Sequence, residues 1–382
     1  MMNKTTWQRV KLGEIAEVIN GYAFKSSDFL AHRQADSLPI IKIKNVANGD
    51  VNFNDVVFCR FDKKLEKFLI QENDILISLT GNHPHAKSQV VGQISKYRHK
   101  NLAFLNQRVA KIITKKANKD FLYFLFKWKN THNDLANRSS GSGNQANISS
   151  NDILNLEISL PPFETQHKIA EILSSLDDKI DLLHRQNKTL ESLALTLFRH
   201  TFIDNPNRNA WQIGKLGDYV TPKKGKNITH KNAIKGIYPV IAGGLEPAYY
   251  HNQSNTQSPV ITISASGANA GFVNIHYCPV WSSDSSYIDS TITPYIYISY
   301  LFLKHNQNIL YDKQEGSAQP HIYPSHIMEL EMPHYPKELV ESFETQIQVY
   351  FNKISHNMKE IQNLESLRDI MLPKLLSGEM EV

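Results

Sequence analysis

Residues 7–14 read WQRVKLGE, and residues 211–218 read WQIGKLGD, 204 positions further along a chain of 382 residues. Long-range self-similarity of this kind indicates an internal repeat. More matches follow in the same order along both halves, at offsets of 200, 186 and finally 174. The chain therefore carries one structural plan twice, and the first copy is the longer one.

The later matches set the alignment of the two copies. From about residue 121 onward the offset stays at 174 without a gap, so each position there has a counterpart in the other copy. The matched pairs are 38–41 with 238–241, 75–81 with 261–267, Gln145-x-x-Ile148 with Gln319-x-x-Ile322, and LESL at 190–193 with LESL at 364–367.

Each copy begins with a mixed globular block and ends in a long helix. Short β-like runs at Leu38–Ile43, Asp74–Leu79 and Val260–Ser264 are broken by Gly, Asn and Pro turns. Aromatic stretches at Phe121–Trp128 and Tyr295–Phe302 predict buried helices. Prolines then mark the start of a long helix in each copy.

The long helices have a seven-residue repeat, which places an apolar stripe along one side and predicts a coiled-coil partner. The predicted seam residues are Ile169, Leu176, Leu183, Leu190 and Leu197 in the first helix, and Phe343, Tyr350, Leu364 and Met371 in the second. Asn187 and Asn357 interrupt the two seams. They are either buried residues that fix the register or partly exposed ones.

These patterns predict a mixed α/β (α+β) fold with approximate two-fold symmetry. Two repeated globular domains are separated by two long antiparallel coiled-coil helices. The boundaries we expect are 1–160 for the first domain, 161–205 for the first helix, 206–335 for the second domain and 336–382 for the second helix.

The composition excludes several classes of protein. With 41% apolar and 21% charged residues, the chain is neither disordered nor a disulfide scaffold. Its longest apolar-aromatic run, Tyr295–Leu303, is too short to span a membrane. The two cysteines, Cys59 and Cys278, form no metal-ligand spacing. We expect a cytoplasmic protein without a bound metal.

The sequence also lacks the common catalytic motifs. No phosphate-binding Gly-x-x-x-x-Gly-Lys loop, dinucleotide motif, His-Glu-x-x-His or Gly-x-Ser-x-Gly is present. The run LPPF at 160–163 resembles a DNA methyltransferase box, but Leu160 cannot accept a hydrogen bond from an amino group. We therefore expect no catalytic residues.

Charge and polar loops point to an anionic partner. Residues 1–160 carry a net charge of +9, whereas residues 211–335 are neutral. The loops after two matched strands are rich in the donors and acceptors that contact bases and phosphates. An ordinary polar turn explains any single residue more often, but the occurrence of the loop after the same strand in both copies favours a function for the pair. The candidate DNA-binding residues are Lys42, Lys44, Gly81, Asn82, His83, His85, Lys87, Gln89, Lys223, Lys224, Lys226, Ser266, Gly267 and Asn269.

The ordered motifs resemble the specificity subunit of type I restriction–modification enzymes. The similar segments are the two WQxxKLG starts, NGYAF at 20–24, ILISLTG at 75–81, NQRV at 106–109 and the Gln-x-x-Ile pairs. The resemblance covers both copies and implies two target-recognition domains, each reading half of a bipartite double-stranded DNA target. It also implies a subunit without enzymatic activity or bound cofactor. Two methyltransferase subunits, which use S-adenosylmethionine, and ATP- and Mg²⁺-dependent restriction subunits would be its partners.

Two alternatives remain at this point. A coiled-coil scaffold without a nucleic-acid role is favoured only by the neutral second domain. A self-contained modification enzyme is opposed by the missing methyltransferase motifs.

Overall fold

The structure is a computed structural model that describes residues 7–46, 49–83, 91–141, 145–316 and 319–382. The chain divides into two compact units. Unit 1 comprises residues 1–179 and 364–382, and unit 2 comprises residues 180–363. Each long helix thus contributes one part to unit 1 and the other part to unit 2.

Unit 1 is built mainly from strands. Its strands β1–β13 are Gln8–Lys11, Ala16–Asn20, Ser37–Ile41, Gly49–Asp50, Val57–Arg60, Leu69–Ile70, Ile75–Ser78, Thr80–Gly81, Ile94–Lys96, Ala103–Leu105, Val109–Thr114, Ala146–Asn147 and Glu157–Leu160. One sheet has the order β2-β11-β7-β9-β4, and a second has the order β5-β3-β10-β6. Three short helices, α1 (Lys119–Lys127), α2 (Lys129–Asn137) and α3 (Ser150–Leu154), accompany them.

The first long helix, α4, runs from Phe163 to Phe198 and continues as a π-helix over Arg199–Ile203. Unit 2 follows with a similar arrangement. Its strands β14–β22 are Ile213–Lys215, Lys223–Lys224, Tyr238–Ile241, Tyr249–His251, Val260–Ser264, Val273–His276, Trp281–Ser282, Ser285–Asp289 and Glu331–Pro333. The main sheets have the orders β15-β21-β18-β19 and β17-β16-β20.

Unit 2 also contains α5 (Ile296–His305), α6 (Gln307–Asp312) and α7 (Pro324–Met328), and the second long helix, α8, spans Lys337–Leu376. The mixed α/β class with two β-rich blocks and two long helices is confirmed. The aromatic stretches expected to be helical are α1 and α5, and their central residues are buried.

The repeated WQxxKLG motif joins the first and last strands of each globular block. β1 pairs antiparallel with β13, and β14 pairs in the same way with β22. A one-turn helix follows each first strand, and its acidic residue caps it: Lys11 N donates to Glu14 Oε1 at 2.9 Å, and Lys215 N to Asp218 Oδ2 at 2.7 Å. A β-carbon on Gly217 would lie 2.9 Å from Met328 Cβ, so the close packing there requires glycine.

Within each unit, the parts of α4 and α8 pack antiparallel. In unit 1, Ile169 and Leu173 of α4 share a core with Leu375 and Leu376 of α8. In unit 2, the core contains Ala194 and Phe198 of α4 with Phe343, Ile347 and Phe351 of α8. Every predicted seam residue is buried or half-buried.

The two seam asparagines meet inside unit 2. Asn357 is fully buried, and its Nδ2 donates to Asn187 Oδ1 at 2.8 Å and to Gln186 Oε1 at 2.7 Å. A shift of the helix register would leave this buried amide without partners, so the pair selects one register.

A buried ion group joins α1 to the helix pair in unit 1. Asp177 accepts from Lys127 Nζ at 3.0 Å and from Arg368 Nη1 at 2.9 Å. These three side chains are 9%, 15% and 18% exposed, respectively. The single Asp177 carboxylate therefore pairs with two cations that have lost most of their hydration, and Arg368 also pairs with the exposed Asp369.

The repeat provides the counterpart of this group in unit 2. At the constant offset of 174, residues 127, 177 and 368 correspond to Leu301, Phe351 and Ala194. All three counterparts are fully buried members of one apolar core. The same helix junction is thus held by ions in unit 1 and by apolar packing in unit 2.

We predict that Asp177→Ala lowers the free energy of unfolding by about 3–5 kcal/mol, because it removes the carboxylate partner of buried Lys127 and leaves Arg368 paired with the exposed Asp369. The neighbouring Asp178→Ala is the matched control. Asp178 is 60% exposed and its partner Arg98 keeps Asp50, so this loss should stay within about 1 kcal/mol. Denaturant unfolding of the full chain measures both, and equal losses would contradict the account.

Candidate nucleic-acid interface

In unit 1, three chain segments meet at one end of the strands of the five-stranded sheet. We call this end, and its counterpart in unit 2, the edge of the domain. β2 and β7 both pair antiparallel with β11, so they run in the same direction and their carboxyl ends lie beside the start of β11. These segments carry Asn20 at the end of β2, Thr80 after β7 and Arg108 before β11.

Side-chain hydrogen bonds tie this edge together. Thr80 Oγ1 donates to Asn147 Oδ1 at 2.8 Å. Arg108 Nη1 lies 3.4 Å from Thr80 Oγ1 and 3.5 Å from Asn147 Oδ1, while the Arg108 side chain remains exposed. Among the described residues, no carboxylate forms an ion pair with Arg108. Its guanidinium can therefore bind an anion or a base edge.

In unit 2, the sheet builds the same kind of edge. β15 and β18 both pair antiparallel with β21, which brings their carboxyl ends to the start of β21. Lys226 follows β15, Ser266 follows β18 and Asp284 precedes β21. Lys226 N donates to Ser282 O at 2.9 Å, and Ser266 Oγ donates to Asp284 Oδ2.

The two edges share their backbone hydrogen bonds. These run from Leu79 N to Arg108 O (2.9 Å) and from Ile148 N to Leu79 O (2.9 Å) in unit 1, and from Ala265 N to Asp284 O (3.1 Å) and from Ile322 N to Ala265 O (2.9 Å) in unit 2. One backbone frame therefore presents two different sets of side chains.

Comparison with known proteins shows which family this chain resembles. Residues 4–192 match the family model described as the type I restriction modification DNA specificity domain. The MjaIX specificity subunit of a type I restriction enzyme from Methanocaldococcus jannaschii is 25% identical over 98% of this chain and 94% of its own length. The EcoBI specificity subunit from Escherichia coli is 26% identical over 67% of this chain and 48% of its own length.

The chain belongs to the type I restriction–modification specificity subunits. A crystal structure of an S subunit from M. genitalium shares the fold, with a TM-score of 0.60 and 18% identity over 98% of both chains. The specificity subunit is itself non-catalytic. This assignment removes the scaffold and modification-enzyme alternatives.

The predicted reading residues of the first domain lie partly at its edge. Gly81 ends β8, which pairs with β12, and Asn82 and His83 follow directly. Three further candidates, His85, Lys87 and Gln89, lie outside the described residues.

In the second domain, several candidates do converge. Lys223 and Lys224 form the exposed strand β15 and lead to Lys226 at the edge. Gly267 N donates to Pro320 O at 3.0 Å, and Asn269 Nδ2 lies 3.4 Å from Gly243 O. Ser266 is buried beneath this loop.

The expected β-like run Leu38–Ile43, which would put Lys42 in a strand and Lys44 at the next position of the same face, is wrong at its end. β3 ends at Ile41, and Lys42 precedes a one-turn helix that contains Lys44, so strand alternation does not apply. Lys44 Nζ pairs with Asp55 Oδ2 at 3.3 Å, and Lys42 Nζ lies over the Phe29 ring at 4.3 Å. Burial and the neighbouring Lys44 charge lower the pKa of Lys42. Both lysines thus have structural contacts within the domain.

Sequence reasoning missed the two charged residues that the strand registers place at the edges. Arg108 belongs to the NQRV motif, which served as a family signal and not as a site. Asp284 has no local sequence signal. Aligning the strand pairs Ser78–Val109 and Ser264–Ser285 identifies both positions at once.

The histidines of the second domain do not supply uniform positive charge. Burial lowers the pKa of His276 to about 4, and its Nε2 lies 2.9 Å from Thr262 Oγ1. Burial and nearby arginines also lower the pKa of His305. These two imidazoles therefore stay neutral at pH values where an exposed histidine is protonated.

We predict that this neutral His276 makes the specificity subunit less stable in mild acid. The folded pKa lies below the unfolded value of about 6.5, so the unfolded chain binds the extra proton and stability falls as the pH drops from 6.5 towards 4. At pH 5 the loss from this group should be about 2 kcal/mol. Denaturant unfolding at pH 7.5 and pH 5 measures it, and His276→Gln, which cannot titrate, should show a smaller difference. An unchanged pH dependence in His276→Gln would refute the assignment.

The described part of the chain contains no group of His, Cys, Asp and Glu side chains that could hold a metal ion. No described helix is long and apolar enough to cross a membrane.

Proposed function

We propose that this specificity subunit reads a bipartite DNA target, with residues 1–160 reading one half-site and residues 206–335 the other. Residues 161–205 and 336–382 are the helical segments that join these domains. The proposal rests on the two edges, which have the same backbone hydrogen bonds and different side chains. Readers of two different half-sites need this combination, because base discrimination depends on the donors and acceptors presented to the grooves.

The charge distribution gives the two domains different contributions to binding. The net charge of +9 in residues 1–160 favours phosphate contacts, which supply affinity and make it salt-dependent. The neutral second domain depends more on hydrogen bonds to base edges. Lys223, Lys224 and Lys226 give it local positive charge beside its edge.

We predict that replacing residues 1–160 by the corresponding domain of another family member changes only one half of the methylated sequence. The edges of the two domains are built within separate units, so the second edge keeps its bonds after the exchange. Sequencing of methylated bases in cells that carry the exchanged subunit and its methyltransferase checks this. A change in both halves would contradict one domain per half-site.

The proposed protein partners are two methyltransferase subunits and the restriction subunits of a cytoplasmic type I complex. In this scheme S-adenosylmethionine, ATP and Mg²⁺ bind to the partner subunits. The specificity subunit recognises the DNA target and provides the surfaces on which the methyltransferase and restriction subunits dock.

The LESL repeat offers a matched pair of such surfaces. In α4, Leu190 is half-buried in the core of unit 2, whereas Leu193 is 41% exposed. In α8, the equivalent Leu364 is half-buried and Leu367 is 45% exposed. Leu193 and Leu367 are exposed and equivalent in the repeat, so two identical partner subunits could contact the two helices in the same way.

We predict that Leu193→Glu and Leu367→Glu each remove one methyltransferase subunit from the complex, and that the double variant removes both, because a charge would be buried at each contact. Leu182→Glu is the control, since Leu182 is also exposed but its counterpart in α8 is His356. Native mass spectrometry gives the stoichiometry. Intact complexes of the double variant would exclude docking at these leucines.

A further inference from the structure

The two edges carry opposite charges at the same structural position. Ser78 pairs with Val109 in unit 1, and Ser264 pairs with Ser285 in unit 2. The residue before each partner is therefore equivalent: it is Arg108 in the first domain and Asp284 in the second.

The immediate partner of each charge is also equivalent. Thr80 and Ser266 occupy matched positions two residues after their strands, and each presents a hydroxyl to the charged side chain. Each of them also forms a β-bridge with a matched residue, Thr80 with Asn147 and Ser266 with His321, which are 174 positions apart. The matched backbone positions thus carry side chains of opposite charge and opposite hydrogen-bonding character.

A carboxylate at a DNA interface has few favourable partners. It is repelled by phosphates, and it cannot donate to the acceptor atoms of guanine or thymine. The groups that it can accept from in the major groove are the exocyclic amines, N4 of cytosine and N6 of adenine. An arginine at the same position has the opposite preference, for phosphate or the O6 and N7 acceptors of guanine.

The surroundings of Asp284 leave it able to accept. Its Oδ2 receives the Ser266 hydroxyl, while its side chain is only partly buried. A carboxylate has acceptor capacity beyond one hydrogen bond. Lys226 lies on the neighbouring segment, with its backbone N bonded to Ser282 O, so its exposed side chain can contact phosphate nearby.

We propose that Asp284 reads the second half-site by accepting a hydrogen bond from the exocyclic amine of a cytosine or adenine. At the equivalent position in the first domain, Arg108 presents hydrogen-bond donors. This inference rests on the proposed function. It explains how a domain without net charge can recognise DNA, because a carboxylate at its edge selects an amine while nearby lysines such as Lys226 contact phosphate. It also makes the identity of one side chain a determinant of the target.

The test uses the complete methyltransferase complex and sequencing of its methylated sites. Asp284→Asn keeps the shape of the side chain and an acceptor for Ser266 but removes the charge. We expect its first half-site to be unchanged, and its preference for the amine-bearing base at one position of the second half-site to fall by roughly 5- to 150-fold. Arg108→Ala is the matched variant, and it should leave the second half-site unchanged.

Other results overturn the inference. An Asp284→Asn complex with the wild-type motif and rate would make Asp284 a structural partner of Ser266 only. Loss of methylation at all sites in Asp284→Asn would also indicate a purely structural role. In that case Ser266→Ala, which removes only the hydrogen bond to Asp284, should cause the same general loss of methylation. Failure of the proposed function is distinguishable, because the wild-type complex itself would then methylate a sequence without two separate halves.

Discussion

The register in which β7 pairs with β11, and β18 with β21, is the constraint on which the rest of the structure depends. It decides which residues precede the central strand and so which side chains occupy the edge. A slip of one residue would exchange the side chains on the two faces of the strand. All residues of Ile75–Ser78 and Val260–Ser264 are buried, so a slip would disturb the packing on both faces at once. Under the proposed function, target recognition is thus tied to core packing through strand register.

The two units follow one plan with different chemistry. At the helix junction, unit 1 buries a carboxylate with two cations, and unit 2 places leucine, phenylalanine and alanine at the same positions. At the edge, unit 1 presents an arginine and unit 2 an aspartate. Replacing buried ions by apolar residues of suitable volume preserves a fold, so the repeat could diverge at the junction without losing its architecture. At the edge, the proposed function implies that divergence changes which base the domain reads.

The sequence predicts the repeated plan, the long helices and the aromatic helices α1 and α5, because these depend on periodicity and order along the chain. It also indicates the loops after β7 and β18. It fails for Lys42 and Lys44, where the strand ends earlier than the apolar run. Arg108 and Asp284 could not be selected from local pattern, since their position depends on pairing between strands about 20 to 30 residues apart. Only the paired registers of the two copies reveal them as equivalent.

Site-directed crosslinking tests the central claim most directly. A photoreactive residue would replace exposed Gln107, beside Arg108, or exposed Lys226, beside the second edge, in the complete methyltransferase complex bound to its target. Mapping of the crosslinked nucleotides should place position 107 in one half-site and position 226 in the other. Crosslinks from both positions to the same half-site, or from neither position to DNA, would contradict the account.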